Sequence, residues 1–134
     1  MTESEPDFDG IDALLASARA RYARITAEDA YAEVRDGRAV LVDTRPQAQR
    51  DAEGEVSEEL KPILVERNVL EWRFDPRQQA SLPEASFDAR VIVMCQEGYS
   101  SSLAADALRS IGIGQATDVI GGFGAWRQAG LPVA

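Results

Sequence analysis

Short apolar runs rich in β-branched residues alternate with segments of helical periodicity in this chain, and this alternation restricts the folds open to it. Three runs, at residues 39–43, 90–95 and 117–120, have the length of buried strands, and residues 63–65 are a candidate fourth strand. Strands that alternate with helices pair in parallel, and the connecting helices cover the sheet. The sequence therefore predicts an α/β fold with a mostly parallel sheet and helices on both faces.

The predicted helices divide the chain into two parts. An apolar stripe predicts an amphipathic helix over residues 10–25, after an acidic tail over residues 1–9. Thr26 has the sequence context of a helix N-cap. Further helices are predicted at residues 27–37, 46–53, 69–74, 101–111 and 123–129. We expect residues 1–25 to form the tail and the N-terminal helix, and residues 26–134 to form one domain.

The chain contains one cysteine, Cys95, and no histidine. An intramolecular disulfide cannot form, and zinc sites built on cysteine and histidine are unavailable. Catalytic Cys–His dyads and Ser–His–Asp triads are excluded because the imidazole base does not exist. A nucleophile in this chain must be activated by the backbone, a helix terminus or nearby cations. We expect neither a metal nor a cofactor.

The charge of the chain disfavours several partners. The net charge is −9, and the thirteen arginines are scattered among acids, with only Arg19, Arg21 and Arg24 close together. Nucleic-acid binding usually requires a basic patch, so we do not expect it. The apolar runs are too short to span a bilayer, and the acidic N-terminal residues lack the features of a secretory signal. We expect a cytoplasmic protein that does not bind membranes.

Cys95 lies at the predicted carboxyl end of a core strand, and a short loop connects it to the next helix. Ligands of open α/β sheets bind at this edge. Gly98 allows the loop to curl tightly, and the serines at residues 100–102 suit the first helical turn. Such a loop directs several amide N–H groups into one concavity, which favours a thiolate or persulfide anion without a basic side chain. Cys95 is therefore the candidate nucleophile.

Two features of this region also have a structural interpretation. A lone cysteine at the end of a buried strand can serve as a small core residue. Gly121 and Gly122 follow the next predicted strand, where they form either a simple turn or part of the rim of the same site. The sequence leaves both questions open.

Four segments of the chain resemble the rhodanese-like domain family. Residues 41–46 (LVDTRP) are similar to its Asp-x-Arg strand end, and residues 95–101 (CQEGYSS) are similar to its active-site loop. Residues 121–132 contain its closing pattern of Gly-Gly-x-x-x-Trp followed by Gly-Leu-Pro, and residues 67–72 (RNVLEW) are similar to a segment of one bacterial branch. The segments occur in the family's order, and the resemblance covers residues 26–133.

The resemblance implies a single rhodanese-like domain with a five-stranded sheet, in which Cys95 accepts sulfane sulfur as a persulfide. It also implies that Asp43 and Arg45 form an ion pair that shapes the neighbouring turn. Direct contact between Arg45 and the substrate is the alternative. The backbone amides that would bind the sulfur anion are those of Gln96, Glu97, Gly98, Tyr99, Ser100 and Ser101.

The sequence departs from the family pattern in two places. Most members carry Gly-His-Ile-Pro-Gly-Ala after the second strand, whereas residues 54–60 read GEVSEEL. This segment lacks the histidine, the proline and the second glycine. The active-site loop carries Glu97, whereas the loops of strong thiosulfate users often carry cations. An anionic donor should therefore be disfavoured near Cys95.

The resemblance implies a sulfurtransferase that moves sulfur from a donor such as thiosulfate to a thiol or cyanide, with a thioredoxin-like protein as a candidate acceptor. Dual-specificity phosphatases and arsenate reductases share the fold. Their Cys-x5-Arg loop supplies a fixed cation, but the sixth residue after Cys95 is Ser101. A non-catalytic interaction module is the other alternative, with the acidic residues at 55–59 as a partner surface.

Overall fold

The computed structural model describes residues 4–134 and contains a four-stranded parallel sheet. The strands are β1 (Val40–Asp43), β2 (Ile63–Leu64), β3 (Val91–Met94) and β4 (Thr117–Asp118), in the spatial order β2-β1-β3-β4. The helices are α1 (Gly10–Arg19), α2 (Ala27–Arg35), α3 (Gln47–Glu53), α4 (Leu70–Phe74), α5 (Ser100–Ser110) and α6 (Gly122–Gln128). Two short 3-10 helices span Glu58–Leu60 and Arg67–Val69. The predicted α/β class is confirmed.

Successive residues of the central strands pack on opposite faces of the sheet, as the alternation of strand side chains requires. In β3, Ile92 and Met94 join a cluster that includes residues of α2 and α6, whereas Val91 and Val93 join one that includes residues of α4 and α5. The largest buried side chain, Trp126, lies in the first cluster. Both faces of the sheet are therefore covered, and the loop that follows β3 and contains Cys95 lies at the carboxyl edge of the sheet.

The five strands implied by the family resemblance are not all present in the described chain. Outside the four strands, one isolated parallel bridge joins Ile25 to Val119, just after β4. The Ile25 amide donates to the Asp118 carbonyl at 3.2 Å, and the Ile120 amide donates to the Ile25 carbonyl at 2.9 Å. Thr26 then caps α2 through its side chain, which accepts a bond from the backbone of the first helical turn. The helix begins too soon after Ile25 for a ladder to continue.

The N-terminal helix is shorter than its sequence periodicity predicts. The stripe predicts a helix over residues 10–25, but α1 ends at Arg19 and the chain then turns towards β4. Thr117 Oγ1 donates to the Ala23 carbonyl at 2.7 Å, so tertiary hydrogen bonds replace helical ones in this stretch. Residues 1–3 of the predicted acidic tail lie outside the described residues, and residues 4–9 are exposed and without helix or strand.

The segment that departs from the family pattern is integrated into the fold. Val56 is 2% exposed and forms an antiparallel bridge with Val133. Lys61 follows the 3-10 helix with a φ of 53°, the left-handed conformation that ends this helix. This segment therefore packs the C-terminal residues against the sheet. Among residues 4–134, no helix is both long enough and apolar enough to cross a membrane.

Candidate functional site

Cys95 lies directly after β3 at the carboxyl edge of the sheet, and residues 96–99 connect it to α5. Only 8% of Cys95 is exposed. The Gly98 amide donates to Cys95 Sγ at 3.2 Å, and Ser101 Oγ lies 3.2 Å from the same sulfur. The loop thus curls back over the thiol, and polar groups from the loop and from the first turn of α5 converge on it.

Gly98 permits this curl for two physical reasons. Its φ is +87°, which side-chain-bearing residues rarely adopt. A Cβ at this position would also lie 2.7 Å from the Gly121 nitrogen, so the loop could not pack against the turn after β4. Any other residue at position 98 would move the amide that contacts sulfur.

The environment of Cys95 lowers the pKa of its thiol. Burial acts in the opposite direction, because desolvation disfavours the charged thiolate. Hydrogen bonds from the Ser101 hydroxyl and amide, the Ser100 hydroxyl and the Gly98 amide favour the thiolate and outweigh burial. At neutral pH, a larger fraction of Cys95 is therefore ionised than in an unperturbed thiol.

A buried carboxylate lies behind the loop. Asp118 ends β4 and is 0% exposed. Its Oδ2 accepts bonds from Ser101 Oγ at 2.8 Å and from Ser102 Oγ at 2.9 Å. Its Oδ1 accepts from the Tyr22 hydroxyl at 2.6 Å, and Arg24 forms an ion pair with the carboxylate at 3.0 Å. A continuous hydrogen-bonded path therefore runs from Cys95 through Ser101 to Asp118.

Arg45 lies in the wall of the site with its donors engaged by protein groups. It is 2% exposed and forms an ion pair with Asp43, with 2.8 Å between Nη2 and Oδ2. Its Nη1 donates to Gln96 Oε1 at 3.0 Å, and its Nη2 donates to the Gly54 carbonyl at 2.9 Å. The guanidinium also lies 4.1 Å from the ring centroid of Phe123. This geometry makes Arg45 a support for the loop and for residue 54.

The glycine pair at residues 121–122 packs against the backbone of residues 95–98, the start of the loop that carries Cys95 (the active loop). A Cβ on Gly122 would lie 2.3 Å from the carbonyl oxygen of Cys95. The Phe123 amide donates to this same carbonyl at 2.8 Å. Neither glycine lines the cleft above the thiol. The pair therefore allows close backbone approach below Cys95 and does not form the rim of the site.

An open cleft of about 470 Å³ lies above Cys95 and gives small molecules access to it. Its lining residues are Thr44, Arg45, Pro46, Gln49, Arg67, Cys95, Gln96, Glu97, Tyr99 and Ser100. Arg67 forms an ion pair with Glu71 at 2.7 Å, whereas Glu97 is exposed and pairs with no cation among residues 4–134. Two arginines, each in an ion pair with a carboxylate, and one acid without such a pair in the described residues therefore line the cleft.

A larger cleft of about 650 Å³ lies elsewhere, against α2 and residues 59–61. Its lining does not include Cys95, the candidate nucleophile, so its larger size does not make it the candidate site. Across residues 4–134, the structure shows no group of three or more His, Cys, Asp and Glu side chains that could hold a metal ion.

The structure brings most of the predicted site residues together. Cys95, Gln96, Glu97, Tyr99 and Ser100 line the cleft, as does Arg45. The remaining loop residues, Gly98 and Ser101, are buried beside the sulfur. Asp43 does not line the cleft and contacts it only through Arg45.

Sequence reasoning missed Asp118, Arg19, Arg24 and Arg67. Asp118 stands at the carboxyl end of a predicted strand, so the edge rule that identified Cys95 could also have identified this carboxylate. The proximity of Arg19, Arg21 and Arg24 is visible in the sequence, but three arginines in an acidic chain did not predict a basic patch or any other role. Nothing in the local sequence pattern indicates that two of these arginines reach the loop.

Comparison with known proteins supports the resemblance drawn from the motifs. The sequence model of the rhodanese-like domain matches residues 26–129. The thiosulfate sulfurtransferase GlpE of Vibrio cholerae is 44% identical over 52 residues, which amount to 39% of this chain and 49% of that protein. This match therefore spans about half the length of the curated relative.

Solved structures share the fold. A protein of unknown function from Rhodopseudomonas palustris, described as a possible tyrosine phosphatase, has a TM-score of 0.84 at 29% identity, covering 99% of this chain and 100% of that chain. The human single-domain sulfurtransferase TSTD1 has a TM-score of 0.64 at 19% identity, covering 80% of this chain and 96% of that chain. The likeness to TSTD1 concerns the fold alone. Since the family model matches most of the chain, this protein belongs to the rhodanese-like domain family.

Proposed function

We propose that this protein is a sulfurtransferase that carries sulfane sulfur as a persulfide on Cys95. The observation that supports this most strongly is the position of Cys95 Sγ below an open cleft, 3.2 Å from the Gly98 amide and 3.2 Å from Ser101 Oγ. These groups stabilise a sulfur anion without an imidazole. The sequence relationship to a thiosulfate sulfurtransferase points in the same direction.

The reaction proceeds by two displacements at sulfur. The Cys95 thiolate attacks the outer sulfur of a donor such as thiosulfate, the donor's S–S bond breaks, and sulfite leaves with the bonding electron pair. A thiolate or cyanide then attacks the terminal sulfur of the persulfide and regenerates the Cys95 thiolate. Because the chain has no second cysteine, the acceptor must come from outside it. A thioredoxin-like protein is a suitable protein acceptor, and a reducing compartment such as the cytoplasm would keep the thiol free.

The Ser101 hydroxyl has one proton and two neighbours that can accept it. When Cys95 is a thiol, it can donate to Ser101 Oγ while Ser101 donates to Asp118 at 2.8 Å. When Cys95 ionises, the hydroxyl proton can turn towards the thiolate. Asp118 retains its bonds from Ser102, Tyr22 and Arg24, so the loss of one donor leaves no unpaired buried charge. Ser101 can therefore stabilise both protonation states of the nucleophile.

Phosphoryl transfer fits the loop less well, although one structural relative is described as a possible tyrosine phosphatase. That chemistry needs a fixed cation on the transferred group, usually an arginine six residues after the cysteine. In this chain Ser101 occupies that position, with its hydroxyl within hydrogen-bonding distance of Asp118 and Cys95. Arg45 is held by Asp43, Gln96 and Gly54, so it is not free to replace the missing arginine.

The first prediction concerns sulfur uptake by Cys95. After incubation with thiosulfate, intact-mass spectrometry should show a gain of one sulfur atom that cyanide or a thiol reverses. Cys95→Ser should take up no sulfur, because no other thiol exists in the chain. The same samples should show no cysteine-dependent hydrolysis of an aryl phosphate. A folded wild-type protein that takes up no sulfur from thiosulfate or polysulfide would instead support a non-catalytic interaction module.

The second prediction concerns the Ser101 hydroxyl. Ser101→Ala should raise the pKa of Cys95 by about one to two units, since a hydrogen bond to a charged group contributes roughly 1.5–3 kcal/mol. The measurement is the rate of alkylation by iodoacetamide as a function of pH, which rises as the thiol ionises. In the variant, the rise should move to higher pH.

The matched control for this experiment is Ser102→Ala. It removes a second buried hydroxyl from the same Asp118 oxygen, but Ser102 makes no bond to Cys95. The rise in the pKa of Cys95 should be clearly smaller in Ser102→Ala than in Ser101→Ala. Equal shifts in the two variants would mean that the effect passes through the network that Ser102 shares with Asp118 and Arg19, and that Ser101 does not act directly on the sulfur.

The third prediction concerns the selection of donors by Glu97. A unit charge at about 6 Å from an anionic ligand costs roughly 1 kcal/mol at a partly solvated site, or about fivefold in affinity per ligand charge. Glu97→Gln should therefore lower KM for thiosulfate at low salt by at least this factor, with a smaller effect at high salt. Arg67→Gln removes a positive charge that lines the same cleft, and it should therefore raise KM for thiosulfate.

Glu84→Gln is the control for net charge, because Glu84 is exposed and does not line the cleft. It should leave KM for thiosulfate within twofold of wild type, a limit of roughly 0.4 kcal/mol. If Glu97→Gln and Glu84→Gln have the same KM at low salt, Glu97 does not select against anionic donors.

A further inference from the structure

The carbonyl oxygen of Gly98 accepts two hydrogen bonds from arginine side chains that lie outside residues 26–129, the part of the chain that the family model matches. Arg19 Nη2 donates to it at 2.7 Å, and Arg24 Nη2 donates to it at 2.8 Å. Arg19 ends α1 and Arg24 follows in the connection to Ile25, so both precede the family match, which begins at residue 26. We infer that Arg19 and Arg24 are positioning residues for the chemistry of Cys95, and that the N-terminal segment is therefore part of the active site.

The two bonds hold the part of the loop that has the greatest conformational freedom. Gly98 is the loop's glycine, and its own amide is the group that donates to Cys95 Sγ. Fixing its carbonyl restricts rotation about the backbone of residue 98. The next amide, that of Tyr99, then points away from the arginines because C=O and N–H are antiparallel in a trans peptide. The arginines thus fix the direction of the Tyr99 amide and hold the residue whose own amide contacts the sulfur, without touching the sulfur themselves.

The same arginines bring positive charge to the rear of the loop. Arg24 also pairs with the buried Asp118 at 3.0 Å, and Arg19 Nε donates to Ser102 Oγ at 2.9 Å. Two guanidinium groups and one carboxylate leave one net positive charge in this cluster. The loop itself, residues 96–101, contains no cation, and the whole chain carries a charge of −9. The cluster therefore favours the thiolate and the persulfide anion in an otherwise unfavourable field.

The N-terminal helix carries these side chains to the loop by packing on α5. Leu15 and Ala18 of α1 are buried, and α1 contacts α5. Arg21 strengthens this docking through its ion pair with Asp106 on α5, but it makes no bond to the loop. Arg21 is exposed, whereas the Arg24 side chain is only 16% exposed. Arg21 therefore helps to dock the N-terminal segment on α5, whereas Arg24 supports the loop.

The test compares Arg19→Gln, Arg24→Gln and the matched control Arg21→Gln, with folding checked by thermal unfolding. The readout is the pH profile of Cys95 alkylation by iodoacetamide, a neutral reagent that needs no sulfur donor. Arg19→Gln and Arg24→Gln should each raise the thiol pKa by about one unit and slow alkylation at neutral pH up to about tenfold. Arg21→Gln should leave the profile unchanged. Arg24→Lys, which keeps the charge, should restore part of the shift.

The outcomes distinguish this inference from the proposed function on which it rests. Wild-type alkylation profiles in folded Arg19→Gln and Arg24→Gln would overturn it, as would equal shifts in all three variants. If Arg24→Gln fails to fold, Arg19→Gln and Arg24→Lys decide the question by the same profile. Shifted profiles in a protein that takes up no sulfur would retain the positioning role and refute sulfur transfer. For thiosulfate, the loss in kcat/KM should match the loss seen with iodoacetamide, because the arginines act on the nucleophile and not on the donor.

Discussion

The buried carboxylate of Asp118 is the constraint on which the geometry of the site depends. A charge with no exposure to water is costly unless it is paired and hydrogen-bonded. Asp118 obtains its partners from two distant parts of the chain. Tyr22 and Arg24 lie in the connection between α1 and Ile25, and Ser101 and Ser102 lie in the first turn of α5. Satisfying this one group therefore brings the N-terminal segment and the first turn of α5 together behind the active loop.

The chemistry of Cys95 follows from this arrangement. A chain without histidine has no imidazole to take the thiol proton, so the thiolate must be favoured by its surroundings. Burial opposes ionisation of Cys95, but the donors of Gly98, Ser100 and Ser101 reverse the balance and lower its pKa. Neutral donors held in place suit a site that stabilises a monoanionic sulfur before and after transfer. They suit phosphoryl transfer less well, because that reaction develops more charge and requires a fixed cation.

Local patterns in the sequence predicted the central strands and placed Cys95 correctly at the carboxyl edge of the sheet, because strand periodicity and the loop glycine act over a few residues. They could not predict the network behind the loop, since its arginine and tyrosine contacts join residues 74 to 96 positions apart. The fifth strand was expected from the family resemblance alone, and it was wrong, because the sheet in residues 4–134 has four strands. The sequence did indicate that Thr26 caps α2, and this early helix start leaves Ile25 in a single bridge with Val119.

A crystal structure of the protein after exposure to thiosulfate tests the central claim most directly. The account predicts one additional sulfur atom bonded to Cys95 Sγ, with this terminal sulfur within hydrogen-bonding distance of the amides of residues 96–101. Gly98 should still accept the bonds from Arg19 and Arg24, because the loop is already in the required conformation. An unmodified Cys95, or a terminal sulfur directed into the cleft with no contact to the loop amides, would contradict the account.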